Sequence, residues 1–140
     1  MNARCSIAVE GFSHGAQPIP AAARVGPLLM TGGIYGVDPE TGAIPDDAKQ
    51  QTRLMFANLK RVLVAGGASF GCVARMTIYV KRTEAKAALN EEWEKAFPDP
   101  ASRPARHTLT YEGLPANMMI QCDATAFIGA DAETAVGQRT

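Results

Sequence analysis

The chain has 140 residues, 14 basic and 14 acidic side chains, and no formal net charge at pH 7. No positive field draws it to nucleic acid or anionic lipid. With 46% hydrophobic residues it is long enough to bury a core as one domain without disulfides.

Cys5 to Val9 predicts a short first strand, and Gly11 to Ala23, with Gly15, Pro18 and Pro20, predicts a loop. Leu28, Leu29 and Met30 predict a buried strand within Val25 to Thr31, stopped by Gly32-Gly33. Tyr35 to Gly42 reads as a tight turn. From Asp46 the period changes. Asp46 or Asp47 can cap a helix whose stripe carries Ala48, Thr52, Met55, Leu59 and Val62, and Gly66-Gly67 ends it. Val73 to Val80 alternates, with Met76, Ile78 and Val80 on one face of a strand. Thr83-Glu84 opens a second helix with Ala85, Leu89, Trp93 and Ala96-Phe97 on one side, ended by Pro98 and Pro100.

Arg103 to Phe127 predicts two strands joined by the turn Gly113 to Asn117. In the second, Ile120, Cys122, Ala124 and Ala126 form an apolar face, and Gln121, Asp123 and Thr125 form a polar one. Paired as a hairpin, the two strands would bring Arg106 near Gln121 and Asp123. The order of elements predicts an α/β (α+β) fold: a mixed sheet with two helices packed on one face. The other face, carrying Arg106, Thr108, Gln121 and Asp123, would be left for water or for another subunit. Residues 1–128 form the expected domain, and 129–140, without periodicity, a frayed tail.

Cys5, Cys72 and Cys122 are widely spaced and odd in number, which points to a reducing compartment. The N-terminus lacks a signal-peptide core, and no apolar run approaches the roughly 18 residues that span a bilayer. A cytoplasmic protein without membrane contact is expected.

Few motifs carry chemistry. Gly67-Ala68-Ser69-Phe70-Gly71 matches GxSxG, but a helix precedes it and a strand follows, the reverse of a nucleophile elbow. His14 and His107 have no partners at metal-ligand spacing, so no metal is expected. His107 reads as a partly buried packing residue and Cys122 as an inert core thiol. Gly32-Gly33 lacks the surroundings of a phosphate loop, and no cofactor is implied. It either ends a strand or lets backbone N–H groups approach a ligand. Arg106 could be tied to Asp123 in a salt bridge. Alternatively its planar fork could capture a substrate carboxylate.

Several pieces together resemble the reactive-intermediate deaminase family (Rid, or YjgF-like enamine/imine deaminases). They are Met30-Thr31-Gly32-Gly33, Asp38 to Gly42, Gln51-Thr52, Asn58-Leu59, Ala65-Gly66-Gly67, Asn90, Pro104-Ala105-Arg106 and Leu114-Pro115. The resemblance implies a chorismate-mutase-like fold, a homotrimer, and sites in clefts between subunits. It makes Arg106 the binder of a small-molecule carboxylate, Gly33 a backbone ligand contact, and Thr108 a pocket-lining residue. Ile19 stands where the family has a loop tyrosine, and Tyr35 and Asn90 join the expected substrate surroundings. Gln121 stands where the deaminases have a water-positioning glutamate, and their Glu-x-Glu reads here Gln121-Cys122-Asp123. Glutamine orients a water but cannot accept its proton.

Three functions follow. The first is a divergent imine or enamine deaminase using Arg106, Gln121 and Asp123. The second is a hydrolase of an amide, carbamate or ring-opened catabolic intermediate, with Asp123 as base. The third is a non-catalytic trimer that binds small carboxylates.

Overall fold

A computed structural model describes residues 3–129. The elements run β1 (Cys5–Ile7), β2 (Ala22–Val25), β3 (Leu28–Thr31), β4 (Ile34–Tyr35), α1 (Ala48–Ala65), β5 (Val73–Val80), α2 (Ala85–Ala96), β6 (Ala105–Thr110) and β7 (Ile120–Phe127). A seven-stranded sheet has the order β1-β2-β3-β7-β5-β6, with β4 also pairing β7. The expected α+β fold is present. Most of the proposed tail, from residue 130, lies outside the described residues.

The helix ends follow from local chemistry. Asp47 caps α1 by accepting from Gln50 N, a contact worth about 1 kcal/mol. At the other end Gly67 takes φ 86°, so Ala68 N reaches Leu63 O and Gly67 N reaches Val64 O. This pair of hydrogen bonds to the last turn needs the left-handed angle that glycine adopts freely. Arg24 donates to Gly66 O at 2.7 Å and adds positive charge at the negative end of the α1 dipole.

One core joins the helices to one side of the sheet. Met55, Leu59, Val62 and Leu63 of α1 and Leu89 and Trp93 of α2 meet Leu29, Met76, Ile78, Val80, Ile120 and Cys122. Each large side chain buried there contributes about 1.5–3 kcal/mol. Two polar side chains go in with them because their partners are backbone. Asn58 Nδ2 donates to Tyr35 O and Val37 O (2.9 Å each). Gln51 is fully buried, donates to Pro45 O and Asn117 O, and accepts from Met119 N. Gln51 thereby ties α1 to the segment that leads into β7.

Two expectations are corrected. Only Leu29 of the Leu28-Leu29-Met30 run is buried; Leu28 and Met30 are 41% and 52% exposed on the face without helices. A strand with one covered face alternates, and this one does. More important, β6 and β7 do not form a hairpin. β6 pairs with β5 in parallel, through the α2 crossover, and β7 pairs with the other side of β5. Residues 111–119 carry the chain past β5 rather than turning it back on β6.

This pairing also reverses the predicted facing of β6. Directly paired residues share a sheet face. Arg106 pairs with Met76, and Thr108 with Ile78, so both lie on the helix-bearing side at the sheet edge. Gln121 pairs with Tyr79 and Asp123 with Thr77, on the open side. His107 is on the open side too, but exposed rather than partly buried, with Nδ1 at 3.5 Å from Arg75 Nη2. Besides Leu28 and Met30, the open face exposes Val25, Leu109 and Phe127. No helix among the described residues is long and apolar enough to cross a membrane.

Candidate functional site

The site begins where β3 ends. Gly32 N donates to Ala21 O at 2.8 Å, whereas no acceptor among the described residues takes the Gly33 N–H. The next strand, β4, pairs with β7 so that Tyr35 lies opposite Gln121. The Gln121 side chain then folds back onto Gly33: a Cβ at position 33 would collide with Nε2 and Cδ of the amide. Gly33 therefore lacks a side chain where the Gln121 amide needs the room. On the far side of this glycine, His14 Nε2 is hydrogen-bonded to Gly33 O at 2.7 Å.

A cleft of about 480 Å³ opens over these groups on the open side of the sheet. Gly33, Gln121 and Asp123 give its lining polar groups, and Tyr79, Tyr111, Leu114 and Pro115 give it apolar surface, with Tyr79 directly opposite Gln121. Among the described residues, no lysine or arginine lines it. Burial pushes the Asp123 carboxyl above the usual aspartate range, and nearby Arg75 partly opposes this. Such a carboxyl holds its proton to higher pH than a solvated one and is a stronger base once ionised. Among the described residues, no group of three His, Cys, Asp or Glu side chains lies together.

The predicted residues thus divide. Gly33, Gln121 and Asp123 come together. Arg106 does not join them, because β5 intervenes and its side chain is on the other face. Its guanidinium carbon lies 4.9 Å from the centre of the Trp93 ring of α2, a cation–π contact. Burial lowers its pKa, and no carboxylate among the described residues forms a salt bridge with it. The salt bridge to Asp123 entertained from sequence is absent. Thr108 is half-buried on the helix side of the edge strand, and Asn90 is exposed on α2. Ile19 is 54% exposed in the β1–β2 connection. Tyr35 packs against Phe12 and donates its hydroxyl to Ser13 O rather than lining the cleft.

Sequence reading passed over His14, Tyr79 and Tyr111 as site residues. Tyr79 was legible from alternation, since it shares a strand face with Thr77. Tyr111 was not, because its place depends on the turn at Gly113, where a Cβ would collide with its ring.

Comparison with known proteins bears on the family and the fold. Residues 13–128 match the family model described as Endoribonuclease L-PSP. A RutC family protein of Pyrococcus abyssi is 34% identical over 111 residues, which is 79% of this chain and 86% of that protein. A 2-iminobutanoate/2-iminopropanoate deaminase of Salmonella typhimurium is 30% identical over 122 residues, 86% of this chain and 95% of that protein. Among solved structures, Escherichia coli TdcF with bound serine superposes with a TM-score of 0.82 at 27% identity, covering 89% of this chain and 99% of that one. On the extent of these matches and the shared fold, the chain belongs to the reactive-intermediate deaminase (Rid/YjgF-like) family, the one whose model is described as Endoribonuclease L-PSP.

Proposed function

We propose that the protein is a divergent deaminase that hydrolyses a small, carboxylate-bearing imine or enamine to a carbonyl compound and ammonia. It acts as a homotrimer, with sites where subunits meet. Family membership and the deaminase named among its relatives support the reaction class.

The observation that carries the proposal is a separation. The cleft lining holds the Gln121 amide and the Asp123 carboxyl and, among the described residues, no lysine or arginine, while Arg106, without a salt-bridge partner among them, stands at the sheet edge on the opposite face. One chain cannot bring Arg106 to Gln121. A second copy laid on the open face can, and the apolar side chains exposed there give such a contact something to bury. Arg106 then holds the substrate carboxylate through its fork.

The chemistry needs little more than placement. Water held by the Gln121 amide adds to the carbon of the protonated C=N group. The carbinolamine nitrogen takes up the proton released by the water, its C–N bond breaks as the hydroxyl oxygen gives up its own proton and the C=O bond forms, and the nitrogen leaves as ammonia. Asp123, about 7 Å along the same strand face, balances the iminium charge or takes the water proton. The Gly33 N–H is free to donate to the oxygen as it forms. Effective molarity supplies much of the rate for so reactive a carbon.

Complementation tests the shared site. Arg106→Ala and Gln121→Ala proteins should each fail to release ammonia from 2-aminoacrylate generated in situ. When their subunits are unfolded, mixed and refolded together, about a quarter of sites in random trimers regain both residues. Mixed trimers as inactive as the parents would refute a site shared between chains.

A further inference from the structure

The tyrosines lining the cleft present more aromatic surface than a one- or two-carbon substrate side chain would use. Tyr79 of β5 and Tyr111 just after β6 meet edge-to-face, with ring centres 6.3 Å apart and an interplanar angle of 67°. Two rings so arranged form a corner, each wall of which presents a π face. Leu114 and Pro115 flank the same corner. Tyr111 is 54% exposed, and its ring occupies the space that a side chain at Gly113 would take. A large aromatic ring left half in water and backed by a glycine is apolar surface available to a ligand.

We propose that the cleft selects imino acids with a planar aromatic side chain, whose ring seats in the Tyr79–Tyr111 corner. This inference rests on the deaminase reading above. A third ring entering the corner stacks on one tyrosine and meets the other edge-on, the two arrangements that aromatic quadrupoles favour. Tyr79 pairs directly with Gln121 across β5 and β7, so a ring seated at the tyrosines keeps the C=N group in the same cleft as Gln121, Asp123 and Gly33. A short aliphatic side chain would leave the corner to water and gain none of these contacts.

Isothermal titration of the intact protein with phenylpyruvate and with pyruvate, keto acids that are not turned over, tests the idea. Phenylpyruvate should bind about tenfold more tightly, a preference that two aromatic contacts can supply. In Tyr111→Leu, which keeps apolar bulk but loses the ring, the preference should fall toward one. Tyr111→Ala should do the same, and thermal unfolding of both variants shows that they are folded. Equal affinities for the two acids, or a preference unchanged in both variants, would overturn the aromatic corner and leave the deaminase reading standing. If neither keto acid binds at millimolar concentration, the carboxylate-imine reading itself fails, and this inference with it.

Discussion

The Gln121 side-chain amide rests directly on the Gly33 backbone, in space that any other residue at position 33 would fill. Gly33 has no positive φ, so glycine is required here by that contact and not by backbone conformation. Gly33→Ala should therefore displace the amide without straining the chain. The expected outcome is a loss of at least about tenfold in kcat, with thermal stability changed by less than about 1 kcal/mol. Steady-state kinetics beside thermal denaturation measures both.

Arg106 makes one cation–π contact and no ion pair among the described residues. Its removal should cost about 0.5–1 kcal/mol of stability. Arg106→Ala should nonetheless abolish turnover, and Arg106→Lys should recover little of it, since a single ammonium cannot make the two parallel bonds of the fork. An alanine variant with wild-type ammonia release would remove Arg106 from the reaction.

Restoring a carboxylate at position 121 gives the water a proton acceptor. Gln121→Glu should raise kcat by about a hundredfold if water activation limits the rate. Ammonia release measured from pH 5 to 9 should also acquire a dependence on ionisation that the wild-type amide lacks. A flat profile and an unchanged rate would mean that position 121 only orients.

Asp123 is raised above the ordinary aspartate value of 3.8 mainly by burial. The folded state then holds its proton more tightly than the unfolded state. Stability falls as pH rises from 3.8 through the folded pKa, because ionisation in the fold is disfavoured. Asp123→Asn should be more stable than wild type at pH 7, and that advantage should vanish below the unfolded aspartate value. Denaturant titrations at pH 3 and pH 7 give the sign directly.

Gln51 satisfies three backbone groups from a fully buried position. Gln51→Ala leaves them without partners and opens a cavity. The expected loss is about 2–4 kcal/mol, visible as a lower denaturant midpoint. Because Met119 N is one of those groups, hydrogen exchange should also quicken in the segment entering β7.

The sequence by itself determined both helices, the end signals of α1, the face assignment of β5 and β7, and the family. Those features are written in short-range patterns: a 3.6-residue stripe closed by Asp47 and Gly66-Gly67, a two-residue alternation, and strings such as Pro104-Ala105-Arg106. Which strand lies beside which was decided only in three dimensions. Alternation fixes what a strand presents to either side but carries no label for its neighbour. Hence Arg106 could be recognised from the chain, yet its position beyond β5, on the face opposite Gln121, could not. The Tyr79–Tyr111 corner was hidden for the same reason. It joins a residue of β5 to one just after β6, and the parallel pairing of those strands follows from the α2 crossover, a long-range consequence of packing that helix on the core.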